Sequence, residues 1–326
     1  MITIKNECLS ILIRDPHEDL EQLGLRYCHG GYIWQVYDNA SRPLLSGPRY
    51  PNPSPPPFDG QGMPEAFKIP ELAQPCRWDI DIGDDYVIMA ATQESMTLRR
   101  EVRVDGNCIK STTTVKNISD NEITIRWFAH PFFPLNSELK DDRAYLTSAK
   151  VKPENGDTNL TSANVKLENS DIDLTSAKVK SGNNLACGKI SPSVILPESA
   201  GYYIDDDGMI FMKPNYPWEK GLFQPLEVPP EKLTITIPHP IIGQVVLSTD
   251  YDVVYCPIWA NANTFSFEPF TERAVKSGDD TAWGISYIFG VRYNPQVGYA
   301  EINKFVQKRC FDGSGNFGFL PPPPHL

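Results

Sequence analysis

An all-β fold, a large antiparallel β-sandwich, is predicted by three features of this 326-residue sequence. Its 30 prolines are spread along the chain. A proline inside a helix costs about 3 kcal/mol, so that distribution argues against long helices. Short runs rich in β-branched and aromatic residues recur in two groups, separated by polar turns. Helical periodicity holds only briefly, between Tyr299 and Arg309. All-β units often reach this size, so residues 1–326 read as one domain.

The elements follow in order. Tyr32 to Tyr37 is the first clear strand, closed by Asp38-Asn39. Gly47 to Pro64 then carries Pro51, Pro53, Pro55, Pro56, Pro57 and Pro64, whose fixed φ and missing donors exclude a central strand. It reads as a long loop, of the kind that is functional or disordered. From Tyr86 the strands come quickly: Tyr86–Ala91, Thr97–Val104, Ile109–Lys116 and Ile123–Phe128. Asp105-Gly106-Asn107 and Asn117 to Asn121 supply hairpin turns between them. The second group runs Leu233–Ile237, Gln244–Ser248, Asp252–Pro257, Thr264–Phe267 and Trp283–Val291. Two groups of consecutive antiparallel strands make two packed sheets.

Between the groups, Leu146-Thr147-Ser148-Ala149 recurs at Leu160 and again at Leu174, a period of 14 residues. Units so rich in Lys, Asn, Glu and Asp bury too little to stack as a solenoid. A surface insertion over about 143–182, grown by duplication, is the expectation. Pro321 to Pro324, followed by His325-Leu326, read as an extended polyproline-like tail.

Composition bounds the function. The formal net charge of −11, unbroken by any basic cluster, repels a polyanion and excludes nucleic acid as the expected partner. It suits a neutral small molecule. The seven cysteines are odd in number, widely spaced and free of any C-x-x-C, which reads as free thiols rather than a disulfide framework or a zinc site. The first 20 residues hold Lys5, Glu7, Arg14, Asp15 and Glu18, with no apolar stretch of signal length. No run of ~18 apolar residues follows, so no membrane contact is expected and a cytoplasmic setting is. Oligomeric state is open.

Five histidines are present, and His17, His29, His239 and His325 read as solvated or structural. His130 differs, because it ends an alternating strand and enters Pro131-Phe132-Phe133. Two readings stand: the rim of a sugar-sized cleft, or a satisfied core histidine. Glu268, in Phe265-Ser266-Phe267-Glu268-Pro269-Phe270, alternates with aromatic residues. It is either a carboxylate whose pKa aromatic surroundings raise toward that of a useful base, or an exposed glutamate.

Together these segments resemble the aldose 1-epimerase, or galactose mutarotase-like, family. Arg126-Trp127-Phe128-Ala129-His130-Pro131-Phe132-Phe133 resembles its histidine motif, and Thr264-Phe265-Ser266-Phe267-Glu268-Pro269 its late strand ending in Glu-Pro. Gln244 to Asp250, Lys276 to Asp280 and Trp283 to Tyr287 fit the family order once the repeat is removed. The likeness spans roughly Gly31 to Val291. It implies the galactose mutarotase-like supersandwich and cofactor-free interconversion of hexose anomers, with no metal and a small-molecule sugar as partner. Glu268 is then the base and His130 the acid. A non-catalytic sugar-binding or sensory protein on the same fold is the alternative.

One departure bears on that choice. Gln61 stands where the family carries a second histidine before glycine, and an amide can hydrogen-bond but not change charge. Trp218 is a candidate platform for a sugar face, or core. Asp205, Asp206 and Asp207 read as a hairpin turn, and Arg99, Arg100 and Arg103 as a solvated strand face unless they line the cleft.

Overall fold

The computed structural model describes residues 1–17, 28–47, 62–67, 77–135 and 185–290. Within them lie twenty strands, numbered β1 to β20 along the chain, and one helical turn, Trp218–Lys220. A six-stranded sheet runs β1 (Ile2–Lys5), β2 (Leu9–Ile13), β3 (Cys28–Asp38), β4 (Met63–Phe67), β9 (Ile123–Ala129) and β19 (Phe270–Val275) in spatial order. A ten-stranded sheet begins β12 (Tyr202–Ile204), β13 (Met209–Met212), β11 (Leu185–Ser191), β15 (Thr234–His239) and β16 (Gly243–Thr249). It continues β20 (Asp280–Phe289), β8 (Cys108–Asn117), β7 (Met96–Asp105), β6 (Tyr86–Thr92) and β5 (Trp78–Ile82). A small sheet of β10 (Phe133–Pro134), β18 (Thr264–Phe267), β17 (Ile258–Ala260) and β14 (Leu222–Gln224) completes the fold. Every strand pairing is antiparallel, as the strand patterns require.

Alternation drives the layering. Strands β6, β7 and β8 bury every second residue, turning Val87, Leu98, Val102, Ile109 and Val115 inward. The six-stranded sheet answers with Ile4, Ile11, Val36, Ile125 and Trp127. Each such side chain taken from water contributes about 1.5–3 kcal/mol. Trp127 spans the layers, 5.7 Å from the ring of Trp283 on β20 and 5.7 Å from that of Tyr251. At Gly188 the large sheet meets the small one, because a Cβ there would lie 2.8 Å from the Thr236 carbonyl and 3.0 Å from the Phe267 ring. Only glycine lets Phe267 pack so close.

Most predicted strands lie inside observed ones, and the β7–β8 hairpin turns on Gly106-Asn107 with Asp105 paired to Cys108. Asp205 caps the β12–β13 hairpin, its side chain accepting the Asp207 and Met209 amides. Three expectations need correction. Asp252–Pro257 is not a strand: it crosses between sheets as a connector, holding to β19 through the Val254 amide and the Phe270 amide. The proline-rich stretch ends earlier than its prolines imply, since β4 contains Pro64. That residue falls opposite the register break between Cys28 and Ile33, where no donor is needed. Finally, the three arginines do not share a face. Arg99 and Arg103 pair outward with Glu101 and Asp85, whereas Arg100 is buried and donates to Ser111 at 2.7 Å. The 14-residue repeat, the Tyr299–Arg309 segment, the proline tail and Gln61 lie outside the described residues.

Candidate functional site

The site is built where β9 runs out. Arg126, Phe128 and His130 alternate onto the face of the six-stranded sheet turned away from Trp127 and the main core. That face is covered locally rather than by the other large sheet. Phe128 stacks on Phe270 of the neighbouring β19 at 4.2 Å and 16°, and Tyr255 packs on Phe270 at 5.3 Å. The register pairing Phe270 with Phe128 carries the chain just before β19 up to the end of β9. There Glu268 Oε1 lies 3.2 Å from His130 Nε2, and only 6% of either side chain is exposed. Two residues 138 positions apart in sequence thus form a buried imidazole–carboxylate contact. Of the readings open for Glu268, the exposed one is excluded.

Aromatic rings wall the pair. The His130 ring lies 4.4 Å from Phe132, 5.9 Å edge-on from Trp259 and 6.2 Å from Phe128. Trp259 also meets Phe132 at 6.0 Å and is itself half-buried, so part of its indole faces the outside. Behind Glu268 sit the buried Tyr202 and Cys256. Burial pushes the phenol of Tyr202 and the thiol of Cys256 far up, and the Glu268 carboxylate adds to both. Tyr255 occupies the side: burial and then Glu268 raise its phenol, while the Arg126 guanidinium, 5.1 Å over the Phe270 ring, opposes them. Tyr255 therefore feels Glu268 and Arg126 at once.

A hydrogen-bond belt fixes both halves of the site. The Ser46 amide donates to the Phe132 carbonyl at 3.0 Å, and the Ser46 hydroxyl to Thr264 Oγ1 at 2.9 Å. Thr264 Oγ1 in turn donates to the Phe133 carbonyl at 2.8 Å. One loop thus ties the segment after His130 to the strand before Glu268. The loop is anchored by His239, which is buried. Its Nε2–H donates to the Leu44 carbonyl at 2.8 Å and its Nδ1 accepts the Ile241 amide at 3.2 Å.

Trp218 is not at the cleft surface. Its indole N–H donates to the Lys213 carbonyl at 2.9 Å, and its ring packs between Tyr202 at 5.1 Å and Tyr216 at 4.8 Å. Core packing, not an open platform, describes it. Trp259 is the aromatic residue that sequence reasoning missed. Its signal was Ile258-Trp259-Ala260, an apolar triplet bounded by Pro257 and by Asn261, whose side chain caps the following turn. The strand drawn over Asp252–Pro257 hid it.

Among the described residues, no group of three or more His, Cys, Asp or Glu could hold a metal ion. No described helix is long and apolar enough to cross a membrane. A separate cleft of about 690 Å³, lined by Ser191, Lys232, Thr234, Ser248 and Asp250, contains neither member of the pair.

No family model matches this sequence, and no curated protein matches it. Solved structures do. The galactose mutarotase related enzyme from Lactobacillus acidophilus is 12% identical, with a TM-score of 0.52 over 88% of this chain and 96% of that one. The chain has the galactose mutarotase-like fold. A galactose mutarotase-like protein from Lactobacillus casei is 11% identical over 89% of this chain and 99% of that one, with a TM-score of 0.49. Identities this low speak to the fold alone, so the chemistry of this galactose mutarotase-like chain rests on its own residues.

Proposed function

We propose that the protein interconverts the anomers of a hexose or hexose derivative, with Glu268 and His130 as its acid–base pair. The observation that carries this reading is the 3.2 Å contact between Oε1 and Nε2 inside an aromatic pocket. A cyclic hemiacetal has two oxygens on one carbon, the anomeric hydroxyl and the ring oxygen. An acid and a base serving those oxygens must themselves be neighbours, and here they are.

The steps balance. The Glu268 carboxylate takes the proton of the anomeric hydroxyl as the bond from the anomeric carbon to the ring oxygen breaks. His130 gives its Nε2 proton to the departing ring oxygen, leaving an open-chain aldehyde. The bond between the first two carbons rotates, and His130 takes the hydroxyl proton back as that oxygen attacks the other face. Glu268 returns its proton to the new anomeric hydroxyl, restoring carboxylate and imidazolium. No redox partner or group carrier enters the sequence. Near-exclusion of water strengthens each proton's electrostatic pull. The half-buried face of Trp259, beside His130, suits the C–H face of a sugar ring better than the enclosed Trp218.

The same reading extends to organisation and setting. Residues 1–326 form one domain with the repeat as a surface insertion, and the protein works in the reducing cytoplasm, where Cys8, Cys108, Cys187 and Cys256 stay free thiols. A second reading, sugar binding without chemistry, is favoured by Gln61 in place of the family histidine. Polarimetry on freshly dissolved α-glucose and α-galactose separates the two. Wild type should accelerate mutarotation, and Glu268→Gln and His130→Asn should each lose about 10²–10⁴-fold of it. Sugar binding with no acceleration by wild type would leave the second reading standing.

A further inference from the structure

Phe223 and Trp259 are Cα partners across β14 and β17, so their side chains leave the small sheet on the same face. Paired residues on antiparallel strands hold their Cβ atoms about 4.5–5.5 Å apart, close to the advance from one sugar ring to the next in a glycan. Exposure rises along this row, from His130 at 5% through the half-buried Trp259 to Phe223 at 48%. The row therefore leads from the acid–base pair to solvent. Phe223 lies on β14, the edge strand of its sheet, and Tyr255 flanks it at 6.5 Å. Leaving a phenylalanine half in water forgoes burial energy, and its ring stands on the same face as the half-buried Trp259 and beside the half-buried Tyr255.

We infer that Phe223 is the platform of a second sugar subsite, and that the preferred substrate is a reducing disaccharide. The reducing ring lies on Trp259 with its anomeric carbon at Glu268 and His130, and the neighbouring ring lays its apolar face on Phe223. Uncharged aromatic rings fit a neutral, ring-shaped ligand, in keeping with the chain's net charge of −11.

This inference rests on the anomerase reading, and the test separates the two. Anomer exchange of maltose, cellobiose and lactose is compared with that of glucose and galactose by NMR, using wild type, Phe223→Ala and Phe223→Tyr. Wild type should show a KM for at least one disaccharide about tenfold below that for its reducing monosaccharide. Phe223→Ala should raise the disaccharide KM about tenfold more than the monosaccharide KM, with kcat held, and Phe223→Tyr should restore the preference. Equal KM values in wild type, or an equal loss for both sugar classes in Phe223→Ala, would overturn the subsite. If wild type exchanges no sugar, quenching of tryptophan fluorescence by the same sugars decides. Disaccharide binding weakened by Phe223→Ala would retain the subsite while the anomerase reading fails, and binding unchanged by it would overturn both. Phe223 is half-exposed on an edge strand, so matching melting curves for the variants are expected and checked first.

Discussion

Thr264→Val probes the belt that brings the pair together. Thr264 is fully buried; its Oγ1 donates to the Phe133 carbonyl at 2.8 Å and accepts the Ser46 hydroxyl at 2.9 Å. Valine matches its volume but removes both hydrogen bonds. Each is worth about 0.5–1.5 kcal/mol net, and the donors and acceptors left behind in a dry site raise the cost. A loss of about 2–4 kcal/mol is expected. Thr264→Ser keeps the hydroxyl and removes one methyl, so it should cost nearer 1 kcal/mol. Urea unfolding followed by tryptophan fluorescence measures both, with a shared slope confirming that stability rather than the unfolded state has changed. A valine variant as stable as wild type, or a serine variant less stable than the valine one, would refute the belt.

Three further outcomes follow from the geometry. Burial holds the His239 imidazole below its ordinary pKa, with the Leu44 carbonyl partly opposing. The unfolded chain then binds the proton more readily. Stability should be full above the unfolded value of about 6.5 and fall as pH drops through it, and His239→Gln should flatten that slope in urea melts between pH 8 and pH 5.5. A slope unchanged by the substitution would contradict it. Gly221 has φ 68° and ψ 159°, a backbone conformation open to glycine alone, so Gly221→Ala should cost about 1–3 kcal/mol and lower the melting temperature. Cys187 and Cys256 are fully buried and their thiols are pushed far up in pKa, so a thiol-alkylating reagent followed by mass spectrometry should leave both unmodified until the chain unfolds.

The sequence and the structure meet most closely where local pattern decides. Strands β6 to β9 alternate cleanly, and their turns carry their own signals, so their limits shift by only a residue or two between reading and structure. The site was legible in part for the same reason. His130 and Glu268 each end a strand whose alternation can be read, although nothing local says that the two meet. That depends on β9 pairing with β19 across 142 to 152 positions, a partnership set by tertiary packing. Short strands were the least legible. Ile2–Lys5 and Leu9–Ile13 alternate in burial yet offer only four and five residues, and Ile258–Ala260 offers three. Trp218 and Trp259 illustrate the limit. Both are tryptophans near prolines, and only the surrounding rings distinguish the enclosed one from the half-open one.

The most direct test of the acid–base pair is two-dimensional exchange NMR on glucose and galactose at anomeric equilibrium, with their methyl glycosides as blocked controls. The account predicts exchange above the buffer rate with wild type for at least one free sugar and none with its methyl glycoside. It also predicts loss of about 10²–10⁴-fold in Glu268→Gln, with the variant still folded. Exchange that survives Glu268→Gln undiminished would contradict the assignment of Glu268 as the base.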